Sequence, residues 1–480
     1  MGSEWPLVKL GEYCCKIGSG ATPKGGSSVY LDAGDVCLIR SQNIYNDGFE
    51  EGGLVYIDEV AAAKLRNVIV EHNDILLNIT GDSVARVCLV PDAYLPARVN
   101  QHVAIIRPNK EHFDARFLRY FLASPKTQIL LLNLSSAGAT RNALTKSMIE
   151  NFEVPKPSLS VQVFIANILQ ILDDKIMKNR QINQTLEQMA QTLFKSWFVD
   201  FDPVVDNALD AGFFEQNLAF SDELLRRVEI RKTVRKSDNF KPLAEDIRQL
   251  FPNAFEECAE PALGLGGWVP SGWELGNLSD VTNILSGFAF KSNEFQNSGF
   301  GVIKIKNIGN DKSVDICDIQ RIDISLAEKA KRFSLKDGDL LMAMTGATVG
   351  KFGFLVTENQ EPYYLNQRVA KFEAIDESTA YLYCILNRKI TESYIVNTAQ
   401  GSAQPNISAK DILAMPLITA PQSIRELFND KVNDSFQKII QMRKQNIILE
   451  HLRDTLLPKL ISGELSLSDI KIDIPEETLI

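Results

Sequence analysis

A long internal repeat constrains this chain more than any other feature. Trp5-Pro-Leu-Val-Lys-Leu-Gly returns as Trp273-Glu-Leu-Gly-Asn-Leu-Ser, and Leu38-Ile-Arg-Ser-Gln-Asn-Ile44 returns as Val302-Ile-Lys-Ile-Lys-Asn-Ile308. Asp74-Ile-Leu-Leu-Asn-Ile-Thr-Gly81 matches Asp339-Leu-Leu-Met-Ala-Met-Thr-Gly346, and Asn100-Gln-His-Val-Ala104 matches Asn366-Gln-Arg-Val-Ala370. More loosely, Ser136-Ala-Gly-Ala-Thr-Arg-Asn142 aligns with Gln400-Gly-Ser-Ala-Gln-Pro-Asn406. Landmarks that keep their order at a nearly fixed offset mean a tandem duplication, and a repeat of this kind sets the architecture.

Within each copy, Asp74 to Thr80 and Leu340 to Thr345 are short apolar runs closed by Gly, as buried strands are. Phe113 to Leu122 and Thr379 to Asn387 carry helical spacing. After each copy, introduced by Val154-Pro155 and Met415-Pro416, the apolar pattern becomes heptad-like. The first stripe is Ile165, Ile168, Leu172, Ile176, Ile182, Leu186, Met189, Leu193 and Trp197. The second is Ile424, Phe428, Val432, Ile439, Met442, Leu449, Leu452, Leu456 and Leu460. Stripes this long predict helices on the order of 50 Å, at ~1.5 Å per residue, that pair with each other as a coiled coil. The expected fold class is α+β: two similar mixed α/β domains joined by two long helices that form an antiparallel coiled coil. The expected boundaries are 1–158 for the first domain, 159–202 for the central helix and 203–267 for a mobile, partly helical linker. The second domain follows at 268–420, then the C-terminal helix at 421–465 and a tail at 466–480.

At 480 residues the chain is too long for one hydrophobic core. None of its seven cysteines forms a C-x-x-C pair, which points to reduced thiols rather than a disulfide framework or a zinc site. The four histidines, His72, His102, His112 and His451, have no metal-ligand spacing. The N-terminus lacks a signal-peptide pattern and no apolar run approaches a membrane span, so the expectation is a soluble, cytoplasmic protein with no membrane partner. The net charge of −10 argues against a nucleic-acid binder when taken alone. The deficit is concentrated in 159–267, with 12 basic against 17 acidic side chains, so the two repeated domains are nearly neutral.

Catalytic motifs are missing. There is no Asn/Asp-Pro-Pro-aromatic loop for adenine methylation, and Gly264-Leu-Gly-Gly267 follows no strand pattern. Gly346-Ala-Thr-Val-Gly350-Lys351 has three residues between its glycines where a phosphate loop needs four, and Phe352 stands where Ser or Thr would bind magnesium. The reading is a binder, with no catalytic residues, no cofactor and no metal.

The duplicated polar residues are what core packing leaves unexplained. Arg40, Gln42 and Asn43 recur as Lys304, Lys306 and Asn307; Thr80 and Arg86 recur as Thr345 and Lys351; Gln101 and His102 recur as Gln367 and Arg368. Arg141 and Gln404 fall in the loosely aligned segment. Arg and Lys suit phosphate or guanine, and Asn and Gln suit adenine. Turn chemistry explains Asn43, Asn307, Gly81 and Gly346 equally well, whereas Arg86, Lys351, Arg141 and Arg368 favour contact.

Leu186-Glu-Gln-Met-Ala-Gln-Thr-Leu-Phe-Lys-Ser-Trp-Phe-Val-Asp-Phe-Asp-Pro203 resembles the central conserved region of type I restriction-modification specificity subunits. Leu452-Arg-Asp-Thr-Leu-Leu-Pro-Lys-Leu-Ile-Ser-Gly-Glu-Leu465 resembles their C-terminal conserved region. Leu250-Phe-Pro-Asn-Ala-Phe255 and Trp268-Val-Pro-Ser-Gly-Trp273 are similar to the run into the second recognition domain. The resemblance implies two target recognition domains, each reading half of a split site in double-stranded DNA, with the helices setting the spacer. It implies two methyltransferase (modification) subunits and restriction/translocase subunits as partners, with all catalysis on those partners. The alternative is a stand-alone DNA-binding or anti-restriction protein on the same scaffold.

Overall fold

The computed structural model describes residues 5–136, 142–260, 262–357, 362–399 and 405–465. It divides into two compact units, Met1–Met177 with Ile448–Ile480, and Lys178–Ile447. The central helix, Leu159–Phe198, and the C-terminal helix, Gln422–Ser462, each contribute one part to each unit.

In the first unit, a four-stranded sheet runs in the order Val55–Ile57, Val36–Ile39, Ala97–Val99, Ile69–Val70. The central pair, Val36–Ile39 with Ala97–Val99, is parallel and the outer pairings are antiparallel. A second, wholly antiparallel sheet runs Cys14–Ser19, Val103–Pro108, Ile75–Asn78, Val87–Leu89. Every residue of Val36–Ile39 and Ile75–Asn78 is buried, which is why the sequence shows continuous apolar runs there rather than alternation.

The second unit repeats this topology strand for strand. Gln320–Ile322, Phe300–Ile303, Tyr363–Leu365 and Ser334–Leu335 form the mixed sheet, again with one parallel pair. Thr282–Ser286, Val369–Ala374, Leu340–Ala343 and Phe352–Phe354 form the antiparallel one. The segments before the long helices are strands: Glu153–Pro155 pairs with Leu7–Lys9, and Pro416–Thr419 with Glu274–Asn277. The chain therefore closes each domain on its own beginning before entering a helix.

The long helices pair antiparallel within each unit. In the first, Ile165, Ile168 and Leu169 share a core with Leu457, Leu460 and Ile461, while Asp173 accepts from Arg453 at 3.1 Å. In the second, Asn179 donates to Gln445 (2.9 Å) and Asn446 (2.8 Å), Arg443 donates to Glu187 (2.9 Å), and Phe194, Trp197 and Phe198 pack on Phe428. Partners fall along one helix as they rise along the other.

The seam differs from the stripe expected of it. Buried positions on the central helix repeat every seven residues as Gln162, Leu169, Ile176, Asn183, Ala190 and Trp197. Ile182 and Met189 lie one residue off and are 42% and 61% exposed, and Leu452 on the C-terminal helix is likewise exposed. A stripe drawn through apolar residues alone drifts where the seam itself turns polar.

Residues 203–267, expected to be mobile, are folded into the second unit. The helix Asp202–Asp210 presents Asp202, Asp206 and Asp210, and the helix Asp222–Arg235 answers with Arg227, Arg231 and Arg235, all at four-residue intervals. The guanidinium Nε atoms of Arg227 and Arg231 donate to Asp202 and Asp206 at 2.8 and 3.0 Å, and Arg235 joins Arg248 on Asp210. Phe213, Leu224, Val228, Phe251, Phe255 and Trp268 sit in the same core as Trp197 and Phe428. High charge here marks an ion-pair ladder over an apolar floor, which composition alone cannot distinguish from a solvated linker.

Among the described residues no cysteine is in a disulfide; Cys37, Cys88 and Cys384 are buried, while Cys15 and Cys317 are exposed. Burial pushes the Cys14 and Cys88 thiols up to about 12. Among the described residues no helix is long and apolar enough to cross a membrane.

Phe428 has no exposed surface and touches Phe194, Trp197, Phe198 and Tyr381. Phe428→Ala should cost about 3–5 kcal/mol, read as a lowered midpoint in denaturant unfolding. A change below about 1 kcal/mol would mean that this layer does not anchor the helix pair.

Candidate nucleic-acid interface

The same turn joins the two sheets in both domains. Asn100-Gln101-His102 connects Ala97–Val99 to Val103–Pro108, and Asn366-Gln367-Arg368 connects Tyr363–Leu365 to Val369–Ala374. In each, the Asn carboxamide oxygen accepts from the backbone N–H two residues on, at 3.1 Å from His102 and 3.3 Å from Arg368. Asn100 and Asn366 are buried and spend their side chains on the turn, as Asx turns do. The antiparallel neighbour of the strand that leaves each turn, Cys14–Ser19 or Thr282–Ser286, is followed directly by a glycine. A Cβ on Gly20 would lie 2.1 Å from the Val99 carbonyl oxygen, and one on Gly287 2.3 Å from that of Leu365. The repeat alignment carries that signal as Ser19-Gly20 and Ser286-Gly287, but sequence reasoning passed over it because backbone approach leaves no chemical motif.

In the first domain the turn carries a chain of hydrogen bonds. Thr22 donates its hydroxyl to Gln101 Oε1, Gln101 Nε2 donates to His102 Nε2 at 2.8 Å, and His102 Nδ1 lies 2.6 Å from Thr80 Oγ1. The amide nitrogen can only donate, so His102 Nε2 accepts and the ring's own proton sits on Nδ1, facing Thr80. Thus Thr80 and Gln101 come together through His102, joined by Thr22, which the repeat did not single out. In the second domain Thr345 holds the Thr80 place with its buried hydroxyl unpartnered, and Gln367 and Arg368 are both exposed. Among the described residues, neither of those two side chains has a polar partner.

Arg40, Gln42 and Asn43 share one loop. Arg40 donates to the Gly53 carbonyl and lies 5.4 Å from the Tyr30 ring, and Gln42 Nε2 donates to Gly53 at 3.1 Å. Asn43 is fully buried, accepting from Arg40 N (3.1 Å) and donating to the Glu50 carbonyl (2.8 Å). Asn307 repeats this with Lys304 N (2.9 Å) and the Asp315 carbonyl (2.9 Å). These two asparagines hold turns, and that use leaves nothing of their amides for a ligand. Lys304 sits 4.0 Å over the Phe295 ring and donates to Gln320. Burial holds its ammonium pKa below the ordinary lysine value, and neighbouring Lys306 adds to the depression. Lys306 is paired with Asp318 at 2.7 Å. An exposed pair such as this exchanges readily for another anion.

Arg86 stacks on Tyr45 at 4.5 Å, and its carbonyl accepts from Asn78 N; Lys351 repeats that backbone bond with Ala343 N and stands at the same strand entrance. The chain returns alongside both threonines through bridges between Thr80 and Ala143 and between Thr345 and Asn406. Arg141 and Gln404 lie outside the described residues. The arrangement offers cations on stacked or turn-held stems around a turn rich in amides, which suits nucleic-acid edges and phosphates. Among the described residues no group of His, Cys, Asp or Glu could hold a metal ion.

Residues 2–188 and 270–454 each match the type I restriction modification DNA specificity domain. The chain belongs to that family. It carries the specificity domain twice, each matched segment running from the start of a domain into the long helix that follows it. It is 30% identical over 386 residues to the type I restriction enzyme HindI specificity subunit of Haemophilus influenzae, covering 76% of this chain and 81% of the relative. It is 25% identical over 472 residues to the MjaIX specificity subunit of Methanocaldococcus jannaschii, covering 97% and 95%. Its fold is similar to the S subunit of a type I restriction-modification system from M. genitalium, with a TM-score of 0.54 at 15% identity over 95% of this chain and 96% of that one.

The tight glycine gives a direct test of the specificity domain's turn. Gly20→Ala should destabilise the first unit by about 1–3 kcal/mol, because the clash is with backbone. Gly18→Ala has nothing within 4 Å of its new methyl and should be close to neutral. Equal unfolding midpoints for the two variants would show that the turn is not held by close approach.

Proposed function

We propose that this chain is the address-bearing subunit of a type I restriction-modification complex, each domain reading one half of a split, asymmetric site in double-stranded DNA. The observation that carries the reading is one backbone topology presented twice with different side chains on it. One topology offered twice by a single chain suits a site made of two half-sites. Arg86, Lys351, Lys304, Lys306, Arg40, Gln42, Thr80, Gln101, Thr345, Gln367 and Arg368 supply the contacts, together with Arg141 and Gln404 of the undescribed segments. Two methyltransferase subunits dock on the chain and bring the methylation chemistry, restriction/translocase subunits add cleavage, and this chain contributes no catalytic step. The setting is the cytoplasm.

The two long helices act as the spacer ruler. Each pairs with the other in both units through side chains that fit one register: Asp173 with Arg453, Asn179 with Asn446, Glu187 with Arg443. Nearly neutral domains in an acidic chain bind DNA weakly alone, so tight, salt-sensitive binding belongs to the complex with its methyltransferase partners.

Inserting one heptad into both helices at facing levels adds about 10 Å of helix. At roughly 3.4 Å per base pair, the methylated site should gain about three base pairs of spacer while both half-sites stay the same. Methylome sequencing of cells carrying the complete system reads half-sites and spacer together. An unchanged spacer, with methylation intact, would remove the ruler role.

A further inference from the structure

Domains with the same backbone must owe their different readings to positions where geometry is shared and side chains are not. The inter-sheet turn is such a position, and this inference rests on the DNA-reading role proposed above. Its second and third residues are Gln-His in one domain and Gln-Arg in the other, held by the same Asx bond and the same tight glycine. We propose that the third residue of this turn, His102 in the first domain and Arg368 in the second, is the determinant that makes the two half-sites differ, with Arg368 taking the edge of a guanine.

The two turns offer opposite chemistry. His102 is consumed internally: Nδ1 faces Thr80, Nε2 accepts from Gln101, and Gln101's own oxygen is taken by Thr22. That closed chain gives the first domain a rigid, uncharged ridge with little donor capacity left. In the second domain the chain is open. The Thr345 hydroxyl has no partner, and Gln367 and Arg368 project unpaired among the described residues. An exposed guanidinium beside a free carboxamide, on a turn that backbone approach prevents from shifting, is pre-organised for planar two-point recognition. Guanine O6 and N7 on the major-groove edge match the guanidinium fork, and no other base presents two acceptors there. In the first domain Thr80 and Gln101 also hold the His102 ring in place, and Thr22 fixes Gln101 in turn.

The test uses the full chain assembled with its methyltransferase subunits, assayed on duplexes randomised one base pair at a time across both half-sites. Arg368→Ala should cost about ten- to a hundred-fold in discrimination at one base pair of the second half-site, leaving the first unchanged. Arg368→Lys should lose the same discrimination while keeping the salt dependence of binding, because it retains the charge without the fork. His102→Arg should create a guanine preference at the matching base pair of the first half-site. Among the described residues the Arg368 side chain has no polar partner, and its hydrogen bonds to Asn366 and Met344 are made by its backbone, so thermal unfolding of its side-chain variants should match the parent. Uniform weakening across all sequences, with the slope of log affinity against log salt reduced by about 1, would make Arg368 a phosphate clamp and overturn the proposal, as would unaltered preference in Arg368→Ala. A parent complex that discriminates no half-site at all would fail the DNA-reading role itself, a result distinct from either.

Discussion

The pairing of the central and C-terminal helices is the interaction on which everything else rests, because each unit needs a stretch of both to complete its core. Ile165 and Leu169 reach Leu457 and Leu460 in one unit, and Trp197 and Phe198 enclose Phe428 in the other. A chain duplicated in tandem would otherwise leave two long apolar stripes exposed to water. Pairing them inside one molecule buries both and ties residues more than two hundred positions apart. The apolar ends supply most of the free energy, since burial scales with area. The polar middle of the seam, Asn179 with Gln445 and Asn446 and Glu187 with Arg443, adds selectivity of register in the way a single buried amide does in other coiled coils.

Each domain is also clamped to one helix by charge. Asp173 on the central helix collects Arg119, Tyr120 and Arg453, so the first domain and the C-terminal helix meet on one carboxylate. Burial, reinforced by Asp173, pushes the Tyr120 hydroxyl pKa well above its ordinary value, which keeps the phenol as a donor. In the second unit Arg425 meets Asp376 at 2.9 Å, Lys444 meets Asp337 at 3.1 Å, and Arg443 donates to the Lys312 carbonyl. Half-buried pairs such as these lose more by removal of one partner than they contribute as a pair, so they act chiefly as constraints on geometry. The Asp–Arg ladder of residues 202–235 does the same for the segment between the halves, which is why a charged insertion in the second half adds a folded layer instead of slack.

Much of this was legible from the letters. The repeat exposed the duplicated domains, and the parallel strand pairs of the two copies prove to be equivalent, Leu38 with Arg98 and Val302 with Tyr364. The heptad spacing located both helices, with the central one starting at Leu159. What misled was treating apolarity as burial. Ile182 and Met189 look like seam residues, yet Asn183 and Ala190 occupy the seam, since a strict seven-residue repeat is set by the partner helix and not by the hydrophobicity of individual positions. Residues 203–267 look like a linker because alternating charges cannot be told from an ion-pair ladder until a second helix is placed beside the first.

For the candidate interface the sequence determined which residue types recur at equivalent places, because duplication preserves them: Thr80 with Thr345, Gln101 with Gln367, Arg86 with Lys351. Only the tertiary structure decided which of them are free to meet a ligand. Asn43 and Asn307 are spent on backbone carbonyls, His102 is locked between Thr80 and Gln101, and Arg368 is left open. The physical reason is that a side chain's availability depends on the donors and acceptors folded within about 3 Å of it. Those neighbours come from strands and turns far away in the chain, where no local pattern records them.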